Sequence, residues 1–353
     1  MFTEQIILSD TVQRLTVAVL SLNMRVVVVG AGIIGTTSAL RLKTKYPSVE
    51  LSIVAAELSP HTTSDIAAGW WEPHLDPDTP PDRVSRWAQE TYNLCAALAR
   101  GEWVEELGDL NKDLATTVRR MQGMEVDSND KFLNPVWSDI TTEYRELAHR
   151  DIQLLGLARG DPVFGHAYLS FTWEPRKVLP ILYSWLRRHG VEIIKRKVTS
   201  LSELEDECDL VVNCTGLGAW HVVPDHQMVP VSGHVLRVEA PWVGSVMCDS
   251  REESWAYIIP NRNNVVLGSV DTKGNWDTRV QEGNREAILE RCDKLCPGLK
   301  VRLITHQIPT TVVLQDSALV DEAVGLRPCR TGGVRLEWEK VGTLQVLTTL
   351  YNH

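Results

Sequence analysis

The sequence predicts an α/β chain in which a Rossmann-like parallel sheet is interleaved with a second, antiparallel-sheet domain of α+β type. Three observations predict it. A β-branched run at 25–29 (RVVVV) flows straight into Gly30-Ala31-Gly32-Ile33-Ile34-Gly35. A further helix-and-strand block at 175–214 repeats the parallel pattern in mid-chain. Beyond it, the runs at 230–239, 255–260 and 265–270 read as alternating, which points to an antiparallel sheet.

Each element has a local reason. The unbroken run at 25–29 suits a parallel strand covered on both faces, 33–45 then has helical periodicity, and 49–55 supplies the next strand. This is a β-α-β unit within about 30 residues, the context that gives a glycine motif meaning. Pro175 opens a helix that closes on Arg187, Arg188 and His189 with Gly190 just past its end, and 191–194 and 209–214 follow as buried strands. The chain therefore weaves. Residues 24–95, 175–222 and 309–353 are assigned to the nucleotide-binding domain, and 96–174 and 223–308 to the antiparallel domain. Residues 1–23 form an amino-terminal extension. It carries Glu4 where a signal peptide needs positive charge, and its apolar run at 15–22 is too short to cross a bilayer.

Composition excludes several classes. A chain of 353 residues with 43% hydrophobic content can bury a large core. A net charge of -10 with scattered Lys and Arg argues against a nucleic-acid partner, and nothing points to a membrane. Seven cysteines without a dense framework read as free thiols in a reducing compartment. Cys292 and Cys296 sit four apart, but two ligands do not make a tetrahedral zinc site, and no metal is expected.

The glycine motif carries the first chemistry. Gly30 permits the tight turn, Gly32 lets backbone approach a pyrophosphate, and Gly35 lets helix and strand pack closely, with Ala31 and Ile34 between them. Glu57, about 20 residues on, is the candidate acceptor for ribose hydroxyls. The motif does not separate a flavin from a nicotinamide dinucleotide. Four further blocks accompany it. Residues 60–71 (PHTTSDIAAGWW) place adjacent hydroxyls before a small-residue turn, suited to a flat ligand with a charged tail, although Thr62-Thr63-Ser64-Asp65 also reads as a helix cap. Residues 211–218 (VVNCTGLG) are a buried strand ending in small residues, with Arg196-Lys197-Val198 upstream. Residues 325–330 (GLRPCR) and 256–260 (AYIIP) complete the set.

Together these blocks resemble the D-amino-acid oxidase and D-aspartate oxidase family over residues 24 to about 339. The resemblance implies FAD as cofactor. It places Thr62, Thr63 and Ser64 on the pyrophosphate, Ala68, Gly69 and Trp70 against the isoalloxazine, Thr215 and Gly216 at a second approach of backbone to FAD, and Val198 on the adenine side. It gives Arg327 and Tyr257 to the substrate carboxylate, Arg327 as a planar bidentate fork and Tyr257 as a neutral donor. A further tyrosine of the D-amino-acid oxidases is replaced by Glu253. The implied reaction is oxidative deamination of a D-amino acid, with Cα hydride passing to flavin, oxygen reduced to hydrogen peroxide, and the imino acid hydrolysed to a 2-oxo acid and ammonia. Such chemistry asks the protein for alignment more than for an acid or base.

Three departures accompany the resemblance. Residues 305–319 look inserted. Asp271 stands where D-aspartate oxidases carry an arginine for the side-chain carboxylate, so neutral or basic D-amino acids are expected ahead of D-aspartate, with Arg251 a possible rescuer of the acid. The sequence stops before the glycine-rich segment and last helix of the family. A D-aspartate oxidase and a truncated, inactive relative therefore stay as alternatives. The cytoplasm is the expected compartment, with the peroxisome implied by the resemblance, and nothing indicates the oligomeric state.

Overall fold

The computed structural model describes residues 24–350, apart from 74–77, 131–132, 156, 158–162, 282, 298 and 300–318. The extension at 1–23, nearly all of the expected insertion at 305–319, and residues 351–353 lie outside the described residues.

The chain enters as β1 (Arg25–Val29), α1 (Ile33–Lys45) and β2 (Glu50–Ala55). Val26, Val27, Val28 and Val29 are all buried, as a strand covered on both faces requires. Helix α1 carries Lys43 and Lys45 in its last turn, beside the partial negative charge of its free carbonyls. It stops at Tyr46, which precedes Pro47 and takes a non-helical conformation, as a residue before proline is forced to do. The chain then leaves this layer through α2 (Thr63–Ile66), α3 (Pro81–Ala99), α4 (Leu110–Ala115), β3 (Val118–Asp127), β4 (Thr142–Glu146), α5 (His149–Leu154) and β5 (Phe164–Trp173). It returns with α6 (Pro175–Arg188), β6 (Glu192–Lys195), β7 (Leu210–Asn213) and the short α7 (Ala219–Val222). The second excursion is β8 (Met228–Val238), β9 (Val246–Asp249), β10 (Ala256–Pro260), β11 (Val265–Lys273), α8 (Asn284–Leu295) and β12 (Leu319–Arg330). Strands β13 (Arg335–Val341) and β14 (Leu344–Leu350) close the described chain.

Two sheets result. The first has the order β13-β14-β7-β1-β2-β6, parallel throughout except for β13, which pairs antiparallel with β14. The second has the order β12-β8-β11-β10-β9-β3-β5-β4 and is antiparallel except where β3 runs parallel to β9. Helices α1 and α6 pack on one face of the first sheet in a core that continues through Trp70, Trp71, Trp87, Tyr168 and Tyr257 into the second. Val27, Val29, Val54, Val198 and Val211 cover the opposite face.

One boundary differs from the expectation. The stretch 309–353, read as the last nucleotide-binding part, divides: β12 pairs along its length with β8 in the eight-stranded sheet, and only β13 and β14 join the six-stranded one. The β12 sequence (LVDEAVGLRPCR) lacks the alternation read at β8, β10 and β11. Pairing partners decided its place. No helix of the described residues is long and apolar enough to cross a membrane.

Candidate active site

The glycine turn sits at the carboxyl end of β1, against β7. Gly30 has φ +116, and a Cβ there would lie 2.8 Å from the carbonyl carbon of Cys214. A Cβ on Gly35 would lie 2.9 Å from the carbonyl carbon of Gly30, so both positions are closed to any side chain by backbone. Gly32 is different. Its Cβ would meet only the Ser64 hydroxyl, at 3.1 Å, leaving the amino end of α1 open to a ligand. Ala31 is buried, and Ile34 is half-buried against the core.

Residues 60–71 are tied to that turn at several points. Ser64 Oγ accepts from the Ile33 N–H at 3.1 Å, and Tyr183 Oη donates to the Ala31 carbonyl at 2.5 Å. Asp65 is wholly buried and is held by three donors, Ser59 Oγ, Thr62 N–H and Thr62 Oγ1, at 2.7, 3.0 and 2.6 Å. Thr62 is thus the cap of α2, as the alternative reading of this block allowed, and its hydroxyl hydrogen is committed to Asp65. The far end of α2 is clamped by cations. Arg176 Nε donates to the Asp65 carbonyl at 3.0 Å, and Arg237 Nη2 donates to the carbonyls of Asp65 and Ile66 at 3.1 and 2.9 Å. Asp321 pairs with both arginines.

The turn that follows is fixed to the second sheet. Asn261 Nδ2 donates to the Ala68 carbonyl at 3.2 Å, and the Gly69 carbonyl, at φ +89, accepts from Trp173 N–H at 2.8 Å. Trp70 bridges to Thr172 and donates from Nε1 to Tyr168 Oη at 3.1 Å. On the β7 side, Thr215 Oγ1 donates to Asn213 Oδ1 at 2.8 Å, and Gly216 (φ +54) turns the chain beneath Pro328.

Where residues 60–71 meet the eight-stranded sheet, a cleft opens. Thr63, Ile66, Ala67 and Ala68 form one wall, and Gly233, Val235, Tyr257, Gly325 and Arg327 form the other. Tyr257 faces Gly268 across β10 and β11, and its ring lies where a Cβ of Gly268 would come within 2.7 Å of Cε1. Burial raises the phenol to about 12 against the opposing pull of Arg327, so Tyr257 is a neutral donor. Arg327 lies over Gly233, 14% exposed, and is ion-paired with Asp271. The cleft thus combines a guanidinium, a neutral phenol and apolar walls, which suits a small carboxylate.

Glu57 and Val198 lie elsewhere. Glu57, at the end of β2, is half exposed and ion-paired with Lys195 at 2.7 Å, which holds its carboxyl below the ordinary range. Val198 is buried in the core behind the first sheet. Both flank the β2 and β6 ends and stand outside the cleft walls. Arg251, considered as a rescuer, pairs with Asp249.

The arginine clamp was not anticipated, yet Arg237 had a signal. It is a charged residue next to the end of the β8 run, flanked by Leu236 and Val238, and such a residue needs a buried partner. Behind Trp70 lies another polar group that sequence did not reveal. Tyr168 Oη donates to Glu72 at 3.0 Å, and Glu125 accepts from Ser250 Oγ beside His166 at 3.4 Å.

The family model "FAD dependent oxidoreductase" matches residues 25–342. The chain is 32% identical over 315 residues to a D-aspartate oxidase of Homo sapiens, covering 89% of this chain and 84% of that protein. It is 30% identical over 319 residues to a D-amino-acid oxidase of Rubrobacter xylanophilus, covering 90% and 86%. Among solved structures, glycine oxidase from Geobacillus kaustophilus superposes with a TM-score of 0.70 at 17% identity over 94% of this chain and 90% of that one.

Proposed function

Since the chain belongs to the FAD-dependent oxidoreductase family, we propose that it oxidatively deaminates D-amino acids, with molecular oxygen as acceptor and a 2-oxo acid, ammonia and hydrogen peroxide as products. The observation that carries this reading is the convergence of Arg327 and Tyr257 on one cleft whose opposite wall is the 63–68 segment.

The residues present fit FAD. The two glycines closed by backbone, Gly30 and Gly35, and the open one, Gly32, form a cradle at the amino end of α1 that a side chain would fill. Gly30, Ala31, Gly32, Ile34, Gly35, Thr63 and Ser64 would hold the pyrophosphate, with Thr62 acting through its cap on Asp65. Ala68, Gly69 and Trp70 would border the ring system, Thr215 and Gly216 would approach it from β7, and Glu57 and Val198 would lie toward the adenosine. Bound FAD supplies hydride acceptance and electron transfer to oxygen. The protein's own share is orientation. Arg327 would fork onto the substrate carboxylate, and Tyr257 would donate one neutral hydrogen bond to it, fixing which face of Cα turns toward the 63–68 wall. The apolar residues Ile66, Ala67, Ala68 and Val235 line the cleft and would keep water from the reacting carbon.

Likeness to the human D-aspartate oxidase supports a dicarboxylate reading as the second possibility. A reducing compartment such as the cytosol or the peroxisome is supported by seven free cysteines. The test is a peroxide assay on protein supplied with FAD, across D-alanine, D-lysine and D-aspartate with their L-isomers as controls. Peroxide formed from D- and not L-isomers is expected, and its absence with all three would overturn the reading.

A further inference from the structure

The carboxylate-binding arginine already holds a carboxylate. Strand β8 runs between β11 and β12, and Gly233 stands opposite Asp271 on one side and Gly325 on the other. Because Gly233 has no side chain, the guanidinium of Arg327 lies flat over it. A Cβ there would be 2.5 Å from Nη1 and 2.7 Å from Cζ and Nη2. Arg327 thereby reaches across β8 to Asp271. Asp271 follows a bulge in β11 between Gly268 and Val270, where the strand passes from buried to exposed residues, and it is 35% exposed. The bulge turns an acid toward the cleft's only lining cation among the described residues.

We propose that Asp271 is a specificity-determining residue, which makes this cleft select D-amino acids with a cationic side chain against those with a second carboxylate. The inference rests on the reading of the cleft as a D-amino-acid oxidase site. A guanidinium has five donors on more than one edge, so Arg327 can keep Asp271 and still take a substrate carboxylate. With Asp271 in place the wall is near neutral before substrate arrives. One substrate carboxylate is accommodated, a second meets the Asp271 charge with no cation left for it, and a side-chain ammonium finds in Asp271 a partially desolvated counter-charge.

The experiment uses the full chain supplied with FAD, as wild type, Asp271→Asn, Asp271→Glu and Glu290→Gln, the last removing an equal charge from the exposed face of α8. Turnover of D-lysine, D-alanine and D-aspartate is measured as kcat/KM. Binding of 4-aminobutanoate, butanoate and succinate is measured by calorimetry. The wild type is expected to favour D-lysine over D-aspartate by at least about tenfold, and Asp271→Asn to shrink that ratio by at least about tenfold. Asp271→Glu and Glu290→Gln should preserve it. A wild type that prefers D-aspartate overturns the inference without need of any variant, as does an unchanged ratio in Asp271→Asn while D-alanine is still oxidised. If no D-amino acid is turned over, the oxidase reading fails. The binding series then decides the role of Asp271 alone, which is overturned if succinate binds as well as 4-aminobutanoate in the wild type.

Discussion

Arg237 and Asp321 meet at 3.1 Å across β8 and β12, and the same guanidinium reaches from its other nitrogen to the carbonyls of Asp65 and Ile66. One buried cation therefore joins the antiparallel sheet to the segment that walls the cleft. Asp321 balances its charge, and the last carbonyls of α2 use its remaining donors.

Arg237→Met should accordingly cost about 2–3 kcal/mol, toward the low end for one partner of a buried pair, because Asp321 is a third exposed and retains Arg176. Urea midpoints measure this. FAD affinity should fall with it, since residues 63–68 lose their anchor; an unchanged affinity in a destabilised variant would mean that α2 holds its place unaided.

The three glycines of the turn should separate into two kinds. Gly35→Ala meets the Gly30 backbone and should lower the melting temperature of the cofactor-free protein. Gly32→Val meets only the Ser64 hydroxyl at its Cβ, so it should leave that melting temperature nearly unchanged and abolish flavin uptake. Titration with FAD followed by the flavin absorbance spectrum distinguishes them. Normal uptake by Gly32→Val would remove the cradle from the cofactor site.

Removal of the Arg327 fork should cost more than removal of the Tyr257 hydroxyl. Arg327→Ala is expected to lose on the order of 3 kcal/mol in kcat/KM, and Tyr257→Phe on the order of 1 kcal/mol, since its donor is neutral. Arg327→Ala also removes the ion-pair partner of Asp271, so the double variant with Asp271→Asn should recover stability but not activity. Equal turnover of D-amino acids and the matching decarboxylated amines would show that neither residue reads a carboxylate.

Glu72 should make stability fall with rising pH. Burial first, and then Glu125, push its carboxyl up to about 8. An unfolded chain gives up the same proton near the ordinary value of about 4.3. The fold's advantage is therefore complete at or below that value and is lost as pH rises through about 8. Glu72→Gln, which keeps an acceptor for Tyr168, should stabilise at pH 8 relative to pH 5 by on the order of 3 kcal/mol at most. His166 works in the opposite direction. Burial lowers its pKa to about 4, so its contribution is lost as pH falls from about 6.5. The variant difference at two pH values isolates Glu72, and no change between them would mean that Glu72 is ionised in the fold.

Much of this architecture could be read before any coordinates. Valine runs and the glycine turn located β1, α1 and β2 because buried parallel strands and dinucleotide turns leave dense local signals. The runs at 230–239, 255–260 and 265–270 fall on β8, β10 and β11, but β10 is buried at every residue and β8 and β11 over most of theirs, so no wet face alternates along them. Strand β12 escaped correct placement because its pairing with β8 is a long-range choice that LVDEAVGLRPCR does not encode locally. Tyr257 and Arg327, which line one cleft, had each stood out through their blocks. The pairing of Arg327 with Asp271 had not, since it depends on two strands flanking a third at Gly233. The Arg237 clamp and the Glu72 and Glu125 group likewise join residues far apart in sequence, and no spacing rule connects them.

Strand β7 lies between β1 and β14, and Val211 finds one of its neighbours at Val346. On the ribosome, β1, β2, β6 and β7 therefore emerge with one edge of β7 bare, and the whole antiparallel sheet is synthesised before β14 arrives to cover it. An open parallel edge is a template for a neighbouring nascent chain. The interval between translation of β7 and of β14 is thus the window in which this protein is most exposed to misassembly, and slow synthesis across β8 to β12 would lengthen it.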